Sequence, residues 1–179
     1  MVATRLETIA EFEARNREGL WELIDGEPTA VNPAAGSSSF IGSRIAHYLN
    51  IYVDEHPIGY VFGADIGFVL FPDRATVRSP DAAFVSISRL QEIPDTFIPL
   101  PPDLAVEVLS PTDRRSDARA KAAMYLDAGV PLVWLIDPRN RTATIYQQDA
   151  APVTIGTEDS LDGGDILPGF SLPLSKFLK

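Results

Sequence analysis

Residues 103–137 read DLAVEVLSPTDRRSDARAKAAMYLDAGVPLVWLID. Two short runs of β-formers, 103–109 and 131–137, bracket a polar segment with helical spacing. Strand, helix and strand in that order form a crossover unit, which is right-handed and has parallel strands. One residue stands out in it. Within LAVEVLS (104–110), alternation sets Leu104, Val106 and Val108 on one face and Ala105, Glu107 and Leu109 on the other. An ionised carboxylate buried without partners is costly. Either the face of Glu107 is open to water or a cation meets it.

The following helix offers that cation. On a helical wheel Lys121 lies between Met124 and Ala128 on one side and Ala118 and Tyr125 on the other, the arc expected to face the sheet, while Asp127 points away. A lysine on the inward arc needs an anion, and the carboxylates of the preceding strand are candidates; an i, i+4 pair with Asp117 is the alternative. The helix begins either at a capping box, Ser110-x-x-Asp113 with Pro111 at its first position, or near Ser116.

Upstream, residues 4–16 read as a short amphipathic helix and GLWELIDGEPTAV (19–31) as a hairpin, because Asp25-Gly26 suits a type I′ turn. Ser37–Glu55 reads as a second helix. YVFGADIGFVLF (60–71) and TVRSPDAAFVSIS (76–88) read as two strands, with Gly63 and Gly67 marking a bulge or a close approach by another backbone. RTATIYQ (141–147) is a further strand, and the last thirty residues hold one or two strands and a terminal turn. Short links between the earlier strands predict antiparallel pairing. The expected architecture is α/β: a mixed β-sheet flanked by helices, with an N-terminal helix and hairpin, in one domain over 1–179 whose core spans about 20–147.

Composition narrows the function. The chain of 179 residues contains no Cys, which excludes disulfides, thiolate nucleophiles and Cys-based metal sites. It shows no signal peptide and no apolar run long enough to span a membrane, so a soluble cytoplasmic protein is expected. The net charge of −10 argues against tight, sequence-blind nucleic-acid binding. Residues 111–145 reverse that balance: Arg114, Arg115, Arg119, Lys121, Arg139 and Arg141 outnumber Asp113, Asp117, Asp127 and Asp137. A solvated helix has this pattern; so does a phosphate-facing side.

A second strand carboxylate, Asp81, follows Pro80, whose missing N–H marks a strand start or an edge. If strands 76–86 and 103–109 are neighbours, Asp81 and Glu107 come near each other. Two close carboxylates repel, and a divalent metal held through hard oxygens removes the conflict. Mg²⁺ takes one or two carboxylates, waters and a backbone carbonyl such as that of Val108. Without a metal, Asp81 would be a turn residue and Glu107 a salt-bridged edge charge.

WELIDGE (21–27), SPDAAFV (79–85), PPDLAVEVLSPTDRRSDARAKAAMYLDAGVPLVWLIDP (101–138) and ILPGFSLPL (166–174) together resemble a bacterial family of restriction-endonuclease-like proteins in the PD-(D/E)XK nuclease superfamily. The resemblance covers about residues 5–178. It implies a restriction-endonuclease-like fold and hydrolysis of DNA phosphodiesters with Mg²⁺ or Mn²⁺. Asp81 and Glu107 match the metal-binding acids of the motif. Leu109 stands where the superfamily places Lys, two residues after the Glu, and Lys121 is the substitute; the expected catalytic set is Asp81, Glu107 and Lys121. Glu22 matches an acidic position of the N-terminal block, either as an accessory metal ligand or as a surface charge on the hairpin. A histidine often found near the start of the first long helix is absent, leaving Ser38 or Ser39 there.

The resulting expectation is a metal-dependent DNA endonuclease acting as a homodimer. The alternative is a catalytically inactive binding or assembly module on the same fold. A glycosidase using the two carboxylates ranks last, because Phe84 is the only aromatic that their strands offer a sugar. His47, mid-helix beside Tyr48, is expected to be packed or on the surface.

Overall fold

The computed structural model describes residues 5–15 and 17–178. Strands β1 (Leu20–Ile24) and β2 (Glu27–Val31) form the expected hairpin. Its corner residues, Asp25 and Gly26, have φ of +50° and +81°, as a type I′ turn requires. Helix α1 (Ile9–Ala14) is shorter than the expected 4–16, whose two end positions lie outside the described residues. A capping box of Thr8 and Glu11 starts it. Helix α2 spans Gly36–Glu55.

The two runs expected as single strands each break in the middle. Residues 60–71 become β3 (Gly59–Gly63) and β4 (Phe68–Phe71), and residues 76–88 become β5 (Thr76–Arg78) and β6 (Ala82–Ser86). β4 pairs with β5 and β3 with β6, both antiparallel, so the two runs still form one long ribbon. It divides because each half joins a different sheet. β5 pairs with β1 in a four-stranded sheet of order β2-β1-β5-β4. β6 pairs with β7 (Leu104–Val108) in a larger one. Pro80 lies at the second break, where its missing N–H costs no ladder bond.

The crossover unit forms as expected. β7 pairs in parallel with β8 (Leu132–Asp137), and α3 (Arg115–Asp127) connects them. β9 (Thr142–Gln147) and β10 (Val153–Ile155) follow antiparallel, giving a six-stranded sheet of order β10-β9-β8-β7-β6-β3. The C-terminal region holds a further hairpin, β11 (Ser160–Asp162) with β12 (Ser171–Pro173), and a 3₁₀ turn at Leu174–Lys176. That is one more strand than the sequence predicts after residue 150. Of the two helix starts considered, the later holds. The Asp113 carboxylate accepts the Ser110 N–H at 2.7 Å, but this closes a turn ahead of α3.

Alternation on β7 separates two cores. Leu104, Val106 and Val108 join Ile41, Ile45 and Leu49 of α2, Trp134 and Ile136 of β8, and the apolar C-terminal segment. Ala105 faces the opposite layer with Ala122 and Tyr125 of α3. The six-stranded sheet is thus covered on both faces, and the fold is the mixed α/β arrangement expected. Among the described residues no helix is long and apolar enough to cross a membrane.

Of the two expectations for Gly67, a bulge or a close approach, the close approach holds, to side chains and not to a backbone. A Cβ there would come within 2.7 Å of both the Phe97 ring and Val77. Gly67→Ala is therefore expected to destabilise the protein by about 1–2 kcal/mol through overpacking, measurable as a lowered urea midpoint with unchanged slope.

Candidate active site

Glu107 occupies a central strand, not an edge, and is 9 % exposed. Partners from α3 offset the cost of burying it. Lys121 Nζ lies 2.7 Å from both Glu107 oxygens, and Tyr125 Oη donates to Oε1 at 2.7 Å. Lys121 and Tyr125 are one turn apart, so both lie over the same point of β7. Burial and the adjacent Glu107 charge hold the Tyr125 phenol well above its ordinary pKa, so it stays a donor. The expected alternative pairing fails: Lys121 meets Glu107, whereas Asp117 accepts a hydrogen bond from Ser116.

Asp81 sits at the bend where the chain enters β6. The ladder aligns Ala82 with Val106, so one further step sets Asp81 opposite Glu107. Its side chain is not carried by strand alternation alone. Asp81 Oδ2 accepts the Val108 N–H at 2.6 Å, and Oδ1 has no hydrogen bond among the described residues. Helix α2 packs over it at Gly42, where a Cβ would come within 3.2 Å of the Asp81 Cβ. Desolvation first, and then the charge of Glu107, push the Asp81 carboxyl up to about 6; the Val108 N–H and Lys121 pull against this. The two acids are close enough to oppose each other's ionisation.

Glu22 is not the hairpin surface charge that was one of its two expected roles. It is 6 % exposed, because it faces the junction of the two sheets. It accepts the Ser79 N–H at 3.0 Å, lies 3.2 Å from Arg78 Nη1 and stands 3.8 Å from Lys121 Nζ. Arg78 and Tyr125 were not among the residues expected at the site, whereas Glu22 was, as an accessory ligand. Arg78 ends β5 and Asp81 precedes β6, so the Ser79-Pro80-Asp81 bend carries the chain from one sheet to the other at this site.

A cleft of about 330 Å³ opens on this cluster, lined by Arg78, Glu107, Leu109, Arg114, Asp117 and Lys121 among others. Of the basic residues expected to face phosphate, Arg115 pairs with Asp137 and Arg139 donates to the Pro111 carbonyl. Arg114, Arg119 and Arg141 are exposed. His47 is exposed against the Tyr48 ring, Ser38 donates to the Ala35 carbonyl, and Ser39 is exposed. Phe84 is fully buried and offers no platform to a sugar.

The donors suit a small hard cation held by two carboxylates and water. Asp81 has an oxygen to give, and bringing a divalent charge to it relieves the repulsion from Glu107. Among the described residues there is no cluster of three or more His, Asp or Glu side chains arranged for a metal, so waters and backbone oxygens would complete the shell around the two acids.

A family model described as "Putative restriction endonuclease" (Uma2) matches residues 6–175. A solved structure from Anabaena variabilis, titled a "putative nuclease", superposes with a TM-score of 0.81 at 20 % identity. The match covers 96 % of this chain and 97 % of that one. At that identity the likeness is one of fold. No curated protein matches the chain.

Proposed function

The chain belongs to the Uma2 family of restriction-endonuclease-like proteins, and from that premise we propose that it is a divalent-metal-dependent endonuclease acting on DNA phosphodiesters. The observation that carries this reading is the Lys121–Glu107 pair lining a cleft, with the Asp81 carboxyl behind it on the Val108 N–H and within reach of both charges. Asp81 and Glu107 would hold Mg²⁺ or Mn²⁺. When bound, the ion would polarise the phosphoryl oxygen and lower the pKa of an attacking water. The remaining work falls to the chain's own groups. Glu107 orients Lys121, and the ammonium faces the charge that builds on the phosphoryl oxygens during displacement. Tyr125 fixes the Glu107 carboxylate from the core side. Leu109, in the usual lysine position, lines the cleft without charge, so Lys121 takes that role from the helix.

The reading extends to one domain over the chain, to a homodimer that addresses two strands with two sites, and to a cytoplasmic location.

Titration of the protein with Mg²⁺ by calorimetry, beside a plasmid-nicking assay, tests the proposal. Saturable binding near neutral pH with nicking supports it. An absence of both favours the second reading, a binding or assembly module, which Leu109 in place of Lys specifically suggests. Lys121→Met is expected to lower kcat for nicking about 100-fold, the scale for losing one donor to a developing oxyanion. Metal binding should persist and not weaken, because Lys121 is not a ligand and its loss takes a positive charge away from Glu107.

A further inference from the structure

Arg78 is used less than its burial demands. Its side chain is only 10 % exposed, yet its one ion-pair partner among the described residues is Glu22, at 3.2 Å. Nε is buried without a hydrogen bond. A guanidinium offers five N–H donors in a planar fork, and burying one with a single longish contact is costly unless something else completes it. Glu22 is itself shared, since it also accepts the Ser79 N–H and stands 3.8 Å from Lys121. One carboxylate therefore serves two cations. Both cations line the cleft, with Arg114 at its mouth. Asp113 and Asp117 also border it, each engaged with a neighbouring serine.

We propose that Arg78 is a phosphate-binding residue: its guanidinium takes a non-bridging oxygen of the substrate phosphodiester in the cleft, and Glu22 holds the fork in place. This rests on the nuclease reading and deepens it by naming the group that grips the substrate, distinct from Lys121. A guanidinium fork matches two oxygens of a tetrahedral anion better than an ammonium does. Arg78 comes from the small sheet and Lys121 from α3, so two separate elements would supply the cations that meet the phosphate.

The test compares wild type with Arg78→Lys, Arg78→Met and Arg78→Ala, and with the double variant Glu22→Gln/Arg78→Met, which removes both charges should the single change leave Glu22 unpaired and unfold the protein. Binding of a short DNA duplex is measured in Ca²⁺ across a salt series, and nicking in Mg²⁺. The expected result for Arg78→Met, and for the double variant, is affinity weakened at least tenfold. The slope of log K against log salt should fall by about one, the mark of one lost phosphate contact. In nicking, KM should rise more than kcat falls, and guanidinium ion should restore part of the activity of Arg78→Ala. Unchanged affinity and slope in folded variants overturn the inference, as does failure of the wild type to bind DNA. A wild type that binds DNA but does not nick it overturns the nuclease reading instead, and the binding series still decides the role of Arg78.

Discussion

Glu107→Gln is expected to reduce Mg²⁺-dependent DNA cleavage by more than about a thousandfold, beyond the 10–100-fold typical of losing an outer partner of a metal ligand. The substitution removes one charge that has two roles. It takes one of two carboxylates from the proposed metal site, and it takes the only partner that Lys121 has at 2.7 Å among the described residues. The ammonium then keeps Glu22 alone, at 3.8 Å, and is drawn away from the reacting phosphate. Breaking a buried pair can cost about 3–5 kcal/mol, but Lys121 is 21 % exposed and retains Glu22, so a loss of about 1–2 kcal/mol is expected. Tyr125 can still donate to the amide oxygen. Thermal melting beside the nicking assay therefore separates the two effects: a folded protein without nicking. Nicking at the wild-type rate in the folded variant would rule out Glu107 as a metal ligand.

The part of this site that the sequence made legible is the part lying within one crossover unit. Glu107 and Lys121 are 14 residues apart, on a strand and on the helix that folds back over it, so the two periodicities together point them at each other. Tyr125 was visible as an inward residue, and its i, i+4 spacing from Lys121 was the available clue to its hydrogen bond. Glu22 and Arg78 were harder to read because they come from another sheet. Strand periodicity tells which residues share a face, not which sheet a strand joins. For the same reason the runs 60–71 and 76–88 passed for unbroken strands. Their β-forming character continues through a point where pairing switches from β3 and β6 to β4 and β5. Glu22 in WELI repeats the pattern of Glu107 in LAVEVLS, an acid inside an apolar strand, and the question asked of Glu107 would have found its two cations.

Asp81→Asn is expected to stabilise the metal-free protein while abolishing its response to Mg²⁺. The Asp81 carboxyl rises from 3.8 to about 6 on folding, chiefly through burial and then through Glu107. The folded state therefore holds the proton more tightly than the unfolded one. The stability this contributes is fully present below pH 3.8, is lost as pH rises through 6, and stays lost above that. A shift of this size corresponds to about 2–3 kcal/mol between acid and neutral pH. Asparagine retains an oxygen for the Val108 N–H and never ionises, so it avoids that loss. Wild type and variant should melt alike near pH 4, and the variant should gain about 2 kcal/mol by pH 7.5. Adding Mg²⁺ at ten times its dissociation constant should return about 1.4 kcal/mol to the wild type. It should return nothing to the variant, whose nicking should also be lost. A difference in melting that does not depend on pH would mean that Asp81 does not carry the frustrated charge. Equal stabilisation of both proteins by Mg²⁺ would place the ion elsewhere. If both measurements come out as expected, the protein tolerates an unstable acid in the fold because a divalent cation completes it, a trade of stability for function common at active sites.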